Sequence, residues 1–322
     1  MSWQPTATMN ALARRAQMIQ QVRAFFAARS VLEVDVPVIG RTTVTDLNLD
    51  SLCVTHAVGS AGNTLSGYLQ TSPEFFMKRL LAAGSGDIYY LGKAFRADES
   101  GRIHNPEFTM LEWYRCGMDD RALSDEVVSL CRAIQPSVDV AVTEYGAVFE
   151  QHTGLNPHTC STEALAAYAR VHLGVDWLEE PRSLWLDLLF THCIEPHLGD
   201  GLVVIRGFPA CQCALARVVP DETGVPVARR FEVYWNGVEL ANGYWELVDA
   251  QEQKARFMQD NTARVAQGKP EIALDNDFLA ALEAGLPACA GVALGIDRLL
   301  MCASGCSYIG EVMSFHGTSQ SD

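Results

Sequence analysis

The chain has 322 residues, 48% of them hydrophobic, with 24 Lys plus Arg against 39 Asp plus Glu and a formal net charge of −15. That length suits one large domain or two ordinary ones, and no apolar run approaches the roughly 20 residues a membrane span needs. The acidity and the lack of a basic run disfavour a partner gripped along its phosphates, such as tRNA. The N-terminus lacks the basic-then-apolar order of a secretory signal. The ten cysteines show no zinc-ligand spacing, so free thiols in a reducing cytoplasm are expected.

Residues 1–8 read as a loose arm. From Met9 to Arg29 the apolar positions Leu12, Ala16, Ile19, Val22, Phe25 and Phe26 recur at helical spacing, which predicts an amphipathic helix. The stretch VLEVDVPVI then reads as a strand in which Pro37 suits an edge or a break. Residues 40–66 are polar and turn-rich, a loop or ribbon. Tyr68 to Gln70 forms a short strand leading into Thr71-Ser72-Pro73-Glu74, a helix start with Pro in its first turn. Glu74 has two readings, a carboxylate complementing the helix dipole or a ligand for an amine.

Ile88 to Phe95 and Phe108 to Tyr114 are apolar runs joined by a polar, Gly-containing loop, which predicts a hairpin with a long, mobile tip. Around it gather Arg96, Asp98, Glu99, Arg102, His104, Asn105, Glu107 and Glu112. Charge that dense beside a core is costly unless it meets a charged ligand.

Residues 119–200 give a helix after Asp119, turns near Gly154 and Pro157, and helical stretches near 161–171 and 182–193. Nothing there carries chemistry, and the segment reads as an insertion shaping a pocket rim. Val203 to Ile205 is a buried strand, Phe208-Pro209 an abrupt turn, and 213–219 a further strand. In RRFEVYWNGVELANGYW the Asn236-Gly237 pair signals a hairpin. Its strands would point Glu232 and Glu239 toward one space. Two carboxylates so placed call for a cation, and Mg²⁺ shared with substrate phosphates fits. Val248 to Gln267 is a helix. In the closing run GVALGIDRLLM, Gly295 lets backbone approach a ligand closely, and Arg298, on the first turn of a buried helix, needs an anion.

The run FRAD…HNPEFTMLEWY resembles motif 2 of the class II aminoacyl-tRNA synthetases in its lysyl form. The helix, strand and Pro of about 9–40 resemble motif 1, the family's dimer interface, and GVALGIDR within about 288–304 resembles motif 3. The likeness spans nearly the whole chain and is weakest over 119–200. It implies a single α+β catalytic domain over 1–322, an antiparallel sheet flanked by helices, with motif 2 at about 88–116 and no anticodon-binding domain.

By that resemblance, Ser72, Pro73 and Glu74 hold the amino group of an amino acid. Glu112, Tyr114 and Glu246 complete an acidic pocket, with Glu246 pairing a side-chain ammonium. Arg96 bridges the substrate carboxylate and the α-phosphate of ATP, and Arg298 meets the γ-phosphate. Asp98, His104, Asn105, Phe108, Leu240 and Gly295 line ATP, while Glu232 and Glu239 ligate Mg²⁺, Glu239 also facing the nucleotide. Three acids and a phenol suit a diamino acid such as lysine.

Three departures sharpen the reading. Too little chain precedes motif 1 for an anticodon domain. Ala293 stands where synthetases usually carry Gly, and one methyl on a pocket wall is worth about 1–3 kcal/mol between similar substrates. Ala97-Asp98 replaces the usual Asn-Glu. The first two narrow the resemblance to lysyl-synthetase paralogues that modify elongation factor P. The expected activity is ATP-dependent activation of (R)-β-lysine, or lysine, as an acyl-adenylate. Transfer to a lysine side chain of elongation factor P follows, by a cytoplasmic homodimer without membrane attachment. A free-standing enzyme charging tRNA or a small amine is the alternative, and a catalytically dead regulator a third.

Overall fold

The computed structural model describes residues 3–58, 63–97, 99–177 and 179–317. In chain order the first elements are α1 (Met9–Ala27), β1 (Leu32–Glu33), β2 (Ile39–Gly40), β3 (Cys53–Val58), β4 (Asn63–Leu69), α2 (Glu74–Ala82), β5 (Ile88–Phe95) and β6 (Glu107–Cys116). Then come α3 (Asp120–Ile134), β7 (Val140–Glu144), α4 (Tyr145–Thr153), α5 (Thr162–Leu173), α6 (Arg182–Leu189) and β8 (Leu202–Pro209). The chain continues through β9 (Val218–Pro220), β10 (Pro226–Trp235), β11 (Val238–Trp245), α7 (Ala250–Ala266), α8 (Asn276–Gly285), β12 (Cys289–Gly295) and α9 (Ile296–Ala303). Pairing is mostly antiparallel, with β1·β5 and β7·β8 parallel, so the class is α+β as expected. Two compact units emerge: the described residues of 1–117, 248–288 and 293–317, and those of 118–247 and 289–292.

In the first unit the β5–β6 hairpin pairs without a break from Ile88↔Tyr114 to Phe95↔Glu107. The apolar stripe of α1 covers it: Phe26 stacks on Tyr89 at 4.5 Å and meets Trp113 edge-on at 5.3 Å, contacts that add to the burial of the rings themselves. Thr8 caps α1 by accepting from the Ala11 N–H at 3.1 Å. Residues 3–8 are not a loose arm throughout, because Thr6 N–H and Oγ1 donate to the carbonyls of Ser314 and Met313, at 2.9 and 2.8 Å. Pro37 does interrupt its strand, leaving the two-residue pieces β1 and β2 on either side. The segment 40–66 is more ordered than a loop, since β4 pairs with both β2 and β3 as a small sheet.

In the second unit, α3 starts at Asp119, whose side chain accepts from Ala122 N–H at 2.9 Å. Tyr145, Phe149, Phe190 and Phe208 pack ring on ring at 4.8–5.7 Å, with Trp185 and Ile205 fully or nearly fully buried beside them. Phe208-Pro209 is no turn: Pro209 is the last residue of β8, opposite Val227, where the missing N–H costs least. The expected strand over 213–219 shrinks to β9, because Ala210–Gln212 forms a short 3₁₀ turn instead.

The Asn236-Gly237 hairpin is present, both residues at positive φ (51° and 72°), as this two-residue turn requires. Gly243, opposite Phe231 on β10, has no room for a side chain: a Cβ there would overlap the Phe231 ring and approach Val292 Cβ to 2.9 Å. Gly243→Ala is therefore expected to destabilise the fold by about 1–3 kcal/mol. Denaturant unfolding of the variant checks this, and an unchanged midpoint would contradict the packing.

Candidate active site

The first unit assembles much of the anticipated amino-acid site around Glu112, only 2% exposed on β6. Ser72 Oγ donates to one carboxylate oxygen and Tyr114 Oη to the other, each at 2.8 Å. Ser72 also accepts from Glu74 N–H at 3.0 Å, which fixes the start of α2 just after Pro73. Four of the expected substrate residues, Tyr114, Glu112, Ser72 and Glu74, thus form one hydrogen-bonded chain. Glu74 occupies the first turn, and its carboxylate meets Lys78 Nζ at 2.6 Å, with the Lys78 side chain fully buried. That internal cation holds the acid at the rim of a cavity lined by Thr43, Gln70, Ser72, Phe75 and Asp275. Lys78 was not singled out in the sequence, although Glu followed by Lys four residues on is a helical pair.

Arg96 leaves the end of β5 with its guanidinium 5.2 Å above Phe108 and Nη1 3.4 Å from Glu99. Its Nε is buried without a hydrogen-bond partner among the described residues, a donor that the fold leaves unspent. Asp98 lies outside the described residues. Asn105 Nδ2 donates to Glu107 O at 2.6 Å, and the backbones of Gly101 and His104 bridge each other. Arg298 lies on the first turns of α9, its Nε donating to Ile103 O at 3.2 Å. Gly295 has φ −79°, and a Cβ there would meet only Arg298 carbons, at 3.8 Å. The fold does not demand glycine there. Ala293 stands half-buried on β12.

In the second unit, Glu232 and Tyr234 are two apart on β10, and Glu239 lies opposite Tyr234 on β11, so all three share one face. The register slips after Val233, which leaves Leu240 as the extra residue of a bulge. Glu232 accepts from Tyr234 Oη at 2.6 Å and pairs closely with Arg230. Arg230 also reaches Gln212 O at 2.9 Å and Asn242 Oδ1 at 3.2 Å, and lies over Phe208. Burial pushes the Glu232 carboxyl up to about 7, Arg230 pulls it down, and Glu239 adds like-charge repulsion. The two carboxylates on one face could hold a divalent cation that also binds substrate oxygens. Among the described residues no cluster of three or more acidic, His or Cys side chains is placed for a metal. Glu246 is 1% exposed, its backbone tied to Cys289 and Arg217. Sequence reasoning missed Arg230 and Tyr234, whose alternation with Glu232 was the available signal.

Comparison with known proteins gives the family. The family model for class II tRNA synthetases of the aspartyl, lysyl and asparaginyl kind matches residues 1–319. The chain belongs to the class II tRNA synthetases. As a member of this family it is an ATP-dependent ligase. Among its curated relatives, a protein of Vibrio cholerae is 48% identical over 320 residues, covering 97% of each chain. One of Proteus mirabilis is 46% identical over 316 residues, 97% of each. One of Hamiltonella defensa is 45% identical over 317 residues, 98% of this chain and 97% of the other. All three are named elongation factor P–(R)-β-lysine ligase. No helix among the described residues is long and apolar enough to cross a membrane.

Proposed function

We propose that this class II synthetase activates (R)-β-lysine with ATP and transfers it to a lysine side chain of elongation factor P. The observation that carries this reading is similarity over 97–98% of the chain to relatives named for that reaction. In the first step a substrate carboxylate oxygen attacks the α-phosphorus and pyrophosphate leaves. In the second, a lysine ε-amine, having lost a proton, attacks the acyl carbon and AMP leaves. Positioning and charge stabilisation supply the acceleration.

Arg96 would bridge the carboxylate and the α-phosphate, Phe108 would stack on adenine beside His104 and Asn105, and Arg298 would meet the polyphosphate. Glu112, oriented by Ser72 and Tyr114, would with Glu74 receive an ammonium group, and Glu246 would take the part that the family resemblance gives it, pairing a side-chain ammonium. Mg²⁺ would be held by Glu232 and Glu239 and would neutralise charge on the departing pyrophosphate. Because carboxylates bind cations only when deprotonated, half-maximal activity should require less Mg²⁺ as pH rises from 6 to 8 through the Glu232 value of about 7. Without metal the sign for stability is opposite: native Glu232 binds more protons than the unfolded chain between about 4.5 and about 7, so stability falls as pH rises there. A magnesium titration of pyrophosphate exchange at several pH values checks the first statement, and a flat requirement contradicts it.

We further place the protein in the cytoplasm as a homodimer through motif 1, where Leu32 and Ile39 are 56% and 48% exposed and offer apolar surface. The deciding experiment is intact-mass spectrometry of elongation factor P after incubation with the protein, ATP, Mg²⁺ and either (R)-β-lysine or α-lysine. A single-residue adduct formed faster with the β-isomer is expected. No adduct, with lysine-dependent pyrophosphate exchange intact, would move the acceptor to tRNA or a small amine.

A further inference from the structure

The loop between β5 and β6 is held from outside. Arg102 O accepts from Ile309 N–H at 2.9 Å, Ile103 O from Arg298 Nε at 3.2 Å, and His104 O lies 3.5 Å from His316 Nε2. In return Arg102 Nη1 donates to Ser307 O at 2.9 Å. Three successive loop carbonyls are therefore met by groups from α9 and the segment after it. His316 is in turn fixed by Tyr308, whose Oη lies 2.6 Å from Nδ1. A carbonyl only accepts, so Nε2 is the donor in that contact, and in the neutral imidazole Nδ1 then accepts from the Tyr308 hydroxyl. Tyr308 is itself locked, because its N–H donates to Glu311 at 3.1 Å. Gly310 is where it is because any Cβ would overlap the Tyr308 ring and come within 3.2 Å of His316 Cγ.

We propose that segment 307–316 is a clasp on the ATP-binding loop, with Tyr308 and His316 as positioning residues that set where Arg102 and His104 stand before nucleotide arrives. A loop with this many charged groups and a long tip would otherwise sample many arrangements, and ATP would bear the entropy of choosing one. The clasp rests on the reading of residues 96–108 as the nucleotide site. It predicts an effect on ATP and not on the amino acid, whose groups hang from α2 and β6.

The test uses the full chain and the variants His316→Ala, His316→Gln, Tyr308→Phe and Gly310→Ala. Amide hydrogen exchange of residues 99–107 should accelerate in His316→Ala, Tyr308→Phe and Gly310→Ala, in the first two without a fall in melting temperature. His316→Gln should restore slow exchange in part, since a Gln amide still donates to His104 O. In lysine-dependent pyrophosphate exchange, KM for ATP should rise about tenfold in His316→Ala and Gly310→Ala while KM for the amino acid holds. Unchanged hydrogen exchange in the loop, or equal rises in both KM values, would overturn the clasp. A wild-type chain with no pyrophosphate exchange would sink the nucleotide-site reading instead, and hydrogen exchange would still decide the clasp.

Discussion

Arg96→Ala should lower lysine-dependent pyrophosphate exchange about a thousandfold with little change in stability. The two halves of that expectation come from the same geometry. Among the described residues the Arg96 side chain makes only a 3.4 Å contact to Glu99 and lies over a ring face at 5.2 Å, and its Nε has no partner. Little folding energy is therefore lost with the side chain, since a partly exposed ion pair contributes about 0–1 kcal/mol. The transition state is another matter. Negative charge grows on the α-phosphate oxygens as the carboxylate attacks, and removing one preorganised donor from such a site costs about 10²–10³ in rate. A guanidinium bridging both reacting groups, the role proposed for Arg96, would sit at the upper end of that range. Arg96→Lys should recover little, because an ammonium cannot span two acceptors with a planar fork. The loss should fall on kcat, as expected for an interaction made chiefly in the transition state. Activity within threefold of wild type would remove Arg96 from the chemistry.

How far the sequence foretold this site depends on whether each feature is local. The β5–β6 hairpin was legible because both strands carry dense apolar runs and the loop between them does not. The β10–β11 turn was legible because Asn-Gly needs no tertiary context to adopt positive φ. The pair β3–β4 was legible only as a loop or ribbon, since its Ser-, Thr- and Gly-containing strands lack the alternation that marks a sheet face. Helix α8 was passed over for its brevity and its position just after a loop. Acidic and basic site residues could be singled out by type, but their orienting partners could not. Ser72 meets Glu112 across 40 residues of chain, and Arg15 meets Asp297 across 282. Arg230 was in plain view two residues from Glu232, yet its five-donor fork reads as solvated charge until Gln212 and Asn242 are brought beside it. The long tip expected to be mobile is instead tied down at Arg102, Ile103 and His104.

Asp297→Ala should cost about 3–5 kcal/mol of stability, the larger of the two structural losses expected here. Asp297 is 2% exposed at the start of α9. One of its oxygens accepts from Arg15 Nη1 at 2.6 Å and the other from the Thr109 N–H at 2.7 Å, while Arg15 Nη2 donates to Thr109 Oγ1 at 2.7 Å. One carboxylate thereby joins α1, β6 and α9. Removing it strands a buried backbone donor and leaves Arg15, only 18% exposed, without its counter-charge. Asparagine should rescue little: its oxygen can take one donor, but its amide group must then face the other. The consequence for activity follows from adjacency, since Arg298 is the next residue and α9 carries it. Denaturant unfolding gives the stability and pyrophosphate exchange the activity, and both should fall. A double-mutant cycle with Arg15→Met isolates the ion pair from the Thr109 bond. Coupling above about 1 kcal/mol is expected for groups this close; a variant losing under 1 kcal/mol would mean that the backbone bond and the ion pair are replaced by water, and that α9 is held by its apolar face alone.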